Sequence, residues 1–179
     1  MLYDVSMKKN FFLIPLFSLL ATSCNVPASR SLPPADQFEF SIVWGVYGKS
    51  SYDSKTKKLV KTTDVETRDP SDYVTEYVYP KKEELRADLG RIDIYSYPDE
   101  FDPYTDILGG RMHSNPYVDL KFSIEGKTVH CAECPLSVGI PDNLPQKSKN
   151  FLTLFFDCVD TITASEEWKA LPDYEVLYL

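Results

Sequence analysis

Histidine is nearly absent from this chain, with His113 and His130 the only two among 179 residues. That leaves little for catalysis by imidazole, the side chain best suited to moving protons near neutral pH. There is no G-x-S-x-G, H-E-x-x-H, P-loop or dinucleotide-type glycine pattern, so the ordered motifs of the common hydrolases and nucleotide-binding enzymes are missing. The net charge is −8, without a long run of lysine and arginine. Clustered cations drive binding to phosphates, so nucleic acid is not an expected partner, and neither is peripheral docking on an anionic membrane surface. No apolar run reaches the ~20 residues of a spanning helix, and no internal repeat is present.

What is there is one domain's worth of ordinary globular sequence, 43% hydrophobic and 26% charged. It is preceded by a distinctive start. Lys8 and Lys9 follow Met7, the expected initiator, and the apolar stretch Phe11-Phe12-Leu13-Ile14-Pro15-Leu16-Phe17-Ser18-Leu19-Leu20-Ala21 comes next. A short positive segment before an apolar run of this length has the layout of a secretory signal. The run ends in Ala21-Thr22-Ser23-Cys24, small residues and then a cysteine.

Residues Met7 to Cys24 resemble the signal and lipobox of bacterial lipoproteins, with Ala21 standing where leucine is commoner. The resemblance implies that residues 1–23 are removed, that Cys24 is acylated, and that the chain is held at a membrane by this lipid. Attachment through several acyl chains needs no basic patch. Losing Asp4, Lys8 and Lys9 takes the net charge from −8 to −9. Asn25 to Asp36 has the proline and serine content of a semi-rigid spacer. Residues 24–36 are therefore expected to be lipidated cysteine and linker, and 37–179 a single soluble domain beyond the membrane.

Within that domain Phe38, Phe40, Ile42, Trp44 and Val46 alternate with other residues, the period of a half-buried strand. Gly48 to Ser54 has turn chemistry, and Leu59 to Thr62 reads as a short returning strand. Tyr73, Thr75, Tyr77 and Tyr79 alternate with Val74, Glu76 and Val78, predicting a third strand. Pro80 then opens a helix whose stripe is Leu85, Leu89 and Ile92, weakened by Gly90. Tyr117 to Ile124 and Lys127 to Cys131 flank a tight Glu125-Gly126 turn, predicting a hairpin. The strongest helix is expected over Lys149 to Ala164, with Phe151, Phe155, Cys158 and Ile162 on one face and Leu154 and Val159 widening it. Thr163 to Glu166 fits a capping box for a last short helix to Leu171, and Glu175 to Tyr178 reads as a final edge strand. This order predicts an α+β fold, an antiparallel sheet of about five strands with two main helices packed on one face.

His130-Cys131-Ala132-Glu133-Cys134 is the most reactive-looking stretch, because C-x-x-C suggests a redox dithiol, half a zinc site or a local disulfide. Redox chemistry wants a thiolate at a helix N-terminus, whereas Pro135 and the preceding strand pattern oppose a helix here. Cys131, Cys134, Cys158, His113 and His130 supply enough ligands for zinc, but exported thiols more often oxidise. Extended residues three apart lie ~10 Å from each other, beyond the ~7 Å that a disulfide bridges. A Cys131–Cys134 bond thus requires a turn at Ala132-Glu133, and otherwise Cys158 is the partner.

Ser54-x-x-Lys57 matches the spacing of a lysine-activated serine, in a polar connection rather than at a helix start. Asp99, Glu100, Asp102 and Asp106 offer oxygen ligands without the spacing of an EF-hand. Trp44, Tyr73, Tyr77 and Tyr79 form either an aromatic platform for a sugar or peptide or the inner face of the sheet. No catalytic residue, metal or cofactor is expected. The resulting expectation is a lipid-anchored binding or accessory module of the cell envelope, with a protein or glycan partner left open. The alternative is an envelope thiol-redox or metal-binding protein using Cys131 and Cys134.

Overall fold

The alternation that begins at Phe38 becomes β1 (Phe40–Trp44), which buries Phe40, Ile42 and Trp44 on one side of the sheet. This is a computed structural model; it describes residues 31–45, 50–61, 73–104, 117–135 and 140–172, with the backbone alone at 117–118 and 132–135. β1 is flanked by β2 (Ser50–Asp53) and β5 (Tyr117–Ile124), with Ile42 opposite both Tyr52 and Phe122. β3 (Lys58–Val60), β4 (Val74–Glu76) and β6 (Lys127–Pro135) complete an antiparallel sheet of order β4-β3-β2-β1-β5-β6.

Among the described residues the sheet thus has six strands rather than about five, and the additional one is β2. Ser50-Ser51-Tyr52-Asp53 reads locally as turn because serine and aspartate have poor strand propensity. It is a strand because both neighbours satisfy its backbone, and the pleat buries Ser50 and Tyr52 on the core side. The true turn lies just beyond, where Asp53 Oδ1 accepts from Thr56 N at 2.7 Å and Thr56 Oγ1 at 2.9 Å. The β5–β6 hairpin turns through Glu125 (φ 48°) and Gly126 (φ 76°), and two successive positive φ values are what a tight turn of the right twist requires.

Helix α1 (Lys82–Arg91) buries Leu85 and Leu89, and α2 (Gln146–Thr163) buries Phe151, Leu152, Leu154, Phe155, Cys158 and Ile162. α2 begins at the residue after Pro145, one turn earlier than its apolar pattern suggests. α3 (Glu166–Ala170) is capped by Ser165, whose Oγ accepts from Trp168 N at 3.2 Å. Thr163 does not cap it, because it remains the last residue of α2 and its Oγ1 bonds Asp160 O. The helices cover the face bearing Phe40, Ile42, Tyr52, Leu120, Phe122 and Ile124. Ser41, Ser51, Ser123, Thr128 and His130 alternate onto the other, more exposed face. The expected strand at Glu175 to Tyr178 lies outside the described residues.

Two further contacts tie peripheral segments to this frame. Leu32 packs over α1, 3.7 Å from where a Cβ on Gly90 would stand, and Arg86 Nε donates to Pro33 O. The second half of the expected linker is therefore seated on the domain. At the far edge, Asp99 to Phe101 runs parallel to β6, with Phe101 N donating to His130 O (2.7 Å) and His130 N to Asp99 O (2.6 Å). Covering an outer strand in this way removes backbone groups that would otherwise invite another chain.

Candidate functional site

The aromatic set expected as a platform or an inner face is placed inside. Trp44, Tyr73, Tyr77 and Tyr79 are between 0% and 8% exposed. α2 and α3 cover that face of the sheet: Trp44 packs at a tilt against Trp168 of α3 at 5.5 Å, and Tyr79 lies against Cys158 and Thr161 of α2. These four residues are core and present no platform to a sugar or peptide. Tyr52 Oη accepts from Tyr79 N at 3.2 Å, and the Tyr79 hydroxyl is hydrogen-bonded with Cys158 and Thr161. The Tyr77 hydroxyl is buried with no hydrogen-bond partner among the described residues, and burial pushes its pKa up to about 12. Since an unpaired buried hydroxyl costs ~1–3 kcal/mol, Tyr77→Phe should raise the melting temperature by a few degrees. A fall in the melt would show that the hydroxyl is satisfied in solution.

The cysteines divide cleanly. Cys131 is 0% exposed in the middle of β6 and is disulfide-bonded. Cys158, on the inward face of α2, is a free thiol, so it is not the partner that sequence spacing offered. Burial pushes the Cys158 pKa up to about 12, while its hydrogen bond with Tyr79 acts in the opposite sense. A thiol held protonated is neither nucleophile nor metal ligand. Cys134 lies in β6 opposite Val118, with its side chain outside the described residues, as are Cys24 and His113.

The remaining sequence candidates are engaged separately. Ser54 Oγ accepts from Phe40 N at 2.9 Å, and Lys57 reaches Glu76 at 3.5 Å, so the S-x-x-K pair serves the hairpin and not a nucleophile. Asp99 pairs with Lys127 at 2.6 Å, Glu100 with His130 at 3.3 Å, and Asp102 Oδ1 caps Tyr104 N at 2.9 Å. Asp106 is outside the described residues. Among the described residues no three His, Cys, Asp or Glu side chains gather as metal ligands, and no helix is long and apolar enough to cross a membrane.

One concave feature among the described residues that the sequence did not reveal is a 530 Å³ groove between α1 and α2. Leu85, Leu154 and Tyr79 contribute its apolar lining, together with the four carboxylates of Glu84, Asp88, Asp157 and Asp160 and one cation, Lys81. The signal was present in part, since Glu84/Asp88 and Asp157/Asp160 sit at i,i+4 and i,i+3, the spacings of one helical face. What could not be read was that the two acidic faces meet. Four carboxylates against the single cation Lys81 leave the lining net acidic, which suits a ligand with an aliphatic or aromatic body and a cationic group. Comparison with protein-family models, curated proteins and solved structures finds no match.

Proposed function

We propose that the chain is a lipoprotein of the bacterial cell envelope, anchored through Cys24, whose folded body is a non-catalytic binding or accessory module. The observation that carries this reading is the ordered succession Lys8-Lys9, apolar run, small residues and Cys24. The seating of Leu32 and Pro33 on α1 adds a geometric consequence. Seven peptide steps separate Cys24 from Ser31, a reach of at most about 25 Å when fully extended. The domain is thus held close to the membrane, with the start of the fold seated on the face of α1 that bears Arg86 and Gly90. The groove supports the binding half of the proposal, and its excess of carboxylates over the single Lys81 favours a cationic partner group.

Replacing Cys24 by alanine in the full chain, expressed with its own signal in an exporting bacterium, should move the protein from the membrane fraction to the soluble exported fraction. Continued membrane retention of the alanine variant would overturn the anchor.

A further inference from the structure

We infer that the partner of Cys131 is Cys134, so that a disulfide closes across a bulge in the outer strand β6. The inference draws on the lipoprotein reading in one respect: that reading assigns Cys24 to lipid. The chain has four cysteines, Cys158 is free and Cys131 is bonded, so the partner is Cys134 or Cys24.

The strand register favours Cys134 on independent grounds. Cys131 is opposite Leu120 and Cys134 is opposite Val118, with a shift between the two pairs. Three steps along β6 therefore match two steps along β5. In a regular strand, positions three apart fall on opposite sides of the pleat, ~10 Å from one another. The extra residue returns position 134 to the side that position 131 occupies. The compressed step approaches the ~6.6 Å of neighbouring same-side positions, at the upper end of the Cα separations that a disulfide spans and well short of the ~10 Å of the regular strand. A bulge thus provides what an extended C-x-x-C lacks, without the full turn that the spacing alone demands.

Formation of the bond balances as thiol–disulfide exchange. The two thiols lose two protons and two electrons, forming Sγ–Sγ, and an oxidised protein dithiol of the exported compartment is reduced to two thiols. The bond fixes the bulge in an outer strand, beyond the stretch that Asp99 to Phe101 covers, and a fixed bulge breaks the flat ladder that a second chain would extend.

The test uses the full chain, expressed with its signal in an exporting bacterium and extracted in detergent. The protein is denatured, alkylated without reduction and digested with trypsin. Cleavage after Lys127 and Lys147 leaves Cys131 and Cys134 in one peptide, and cleavage after Lys149 and Lys169 isolates Cys158. The expected result is an unalkylated 128–147 peptide, lighter by two hydrogens, that takes up two alkyl groups only after reduction, with Cys158 alkylated throughout. Cys131 and Cys134 both alkylated without reduction would overturn the disulfide and leave the anchor standing if the Cys24 peptide carries acyl mass. A 128–147 peptide cross-linked to the Cys24 peptide would overturn the disulfide assignment and the anchor together.

Discussion

Phe40→Ala is expected to cost about 3–5 kcal/mol, the range for removing a fully buried aromatic ring. Phe40 is the hub of the larger aromatic cluster. Its ring stacks on Phe38 at 5.8 Å and Phe122 at 5.7 Å, and meets Tyr52 at 5.6 Å and Tyr79 at 5.3 Å edge-on. Partial collapse, which softens such losses elsewhere, is restricted here. β1 is hydrogen-bonded on both sides, and two of the four rings that would have to move, Tyr52 and Phe122, are fixed by the registers of β2 and β5. For a domain of this size the loss corresponds to a fall of roughly 10–20 °C in melting temperature. Val78→Ala is the matching control, because Val78 is 62% exposed and its change should stay within about 0.5 kcal/mol. Circular dichroism melts of both variants check this, and a Phe40→Ala cost below about 1 kcal/mol would displace the cluster from the centre of the core.

The second large effect is alkaline unfolding. Cys158 is raised from 9.0 to about 12, and Tyr77 and Tyr97 from 10.0 to about 12, in each case mainly because burial disfavours the charged form. Tyr79 is raised further in the same direction for the same reason. Between pH 9 and pH 12 these groups keep their protons in the native state and lose them in the unfolded chain. The unfolded state then binds fewer protons, so stability falls as pH rises through this window and is fully present below it. Cys158 alone accounts for about 4 kcal/mol over its three-unit displacement. That is comparable with the whole stability of many domains. Cooperative unfolding with a midpoint between pH 9 and 12 is expected, accompanied by a step in tyrosinate absorbance. Cys158→Ala should start from lower stability at pH 7 but lose less of it across the window. A fold that survives to pH 12, or a smooth tyrosine titration near pH 10, would contradict the burial of these groups.

The groove between α1 and α2 connects these core properties to function. Tyr79 belongs to both, ringed by Phe40 and Tyr52 on the sheet side and bonded with Cys158 and Thr161 on the helix side. The acidic residues flanking it are held by a rigid floor and not by a loop. Asp88 is paired with Arg91 at 2.7 Å, and Lys81 shares the lining with Glu84, Asp157 and Asp160.

By itself the sequence determined those features whose cause is local. The period of two predicted β1, β5 and the start of β6, and the 3.6-residue spacing predicted the buried stripes of α1 and α2, because each pattern needs only the geometry of one element. The Glu125-Gly126 turn was equally legible from its residue types. The signal-like run to Cys24 is also a linear pattern, and it is the basis of the proposed function.

Only the tertiary structure decided the rest. Ser50 to Asp53 is a strand because β1 and β3 pair with it, a non-local gain that outweighs poor local propensity. The pleat alone left open whether Tyr73, Tyr77 and Tyr79 look outward or inward, and α2 and α3 settle it by covering their side. Cys158 faces the core from α2 and is left a free thiol, whereas Cys131 is bonded, a division that counting residues along an ideal strand could not give. The acidic groove exists because two helices distant in sequence meet with like-charged faces side by side. In each case the deciding quantity is burial, which depends on what packs across from a residue and not on what stands next to it.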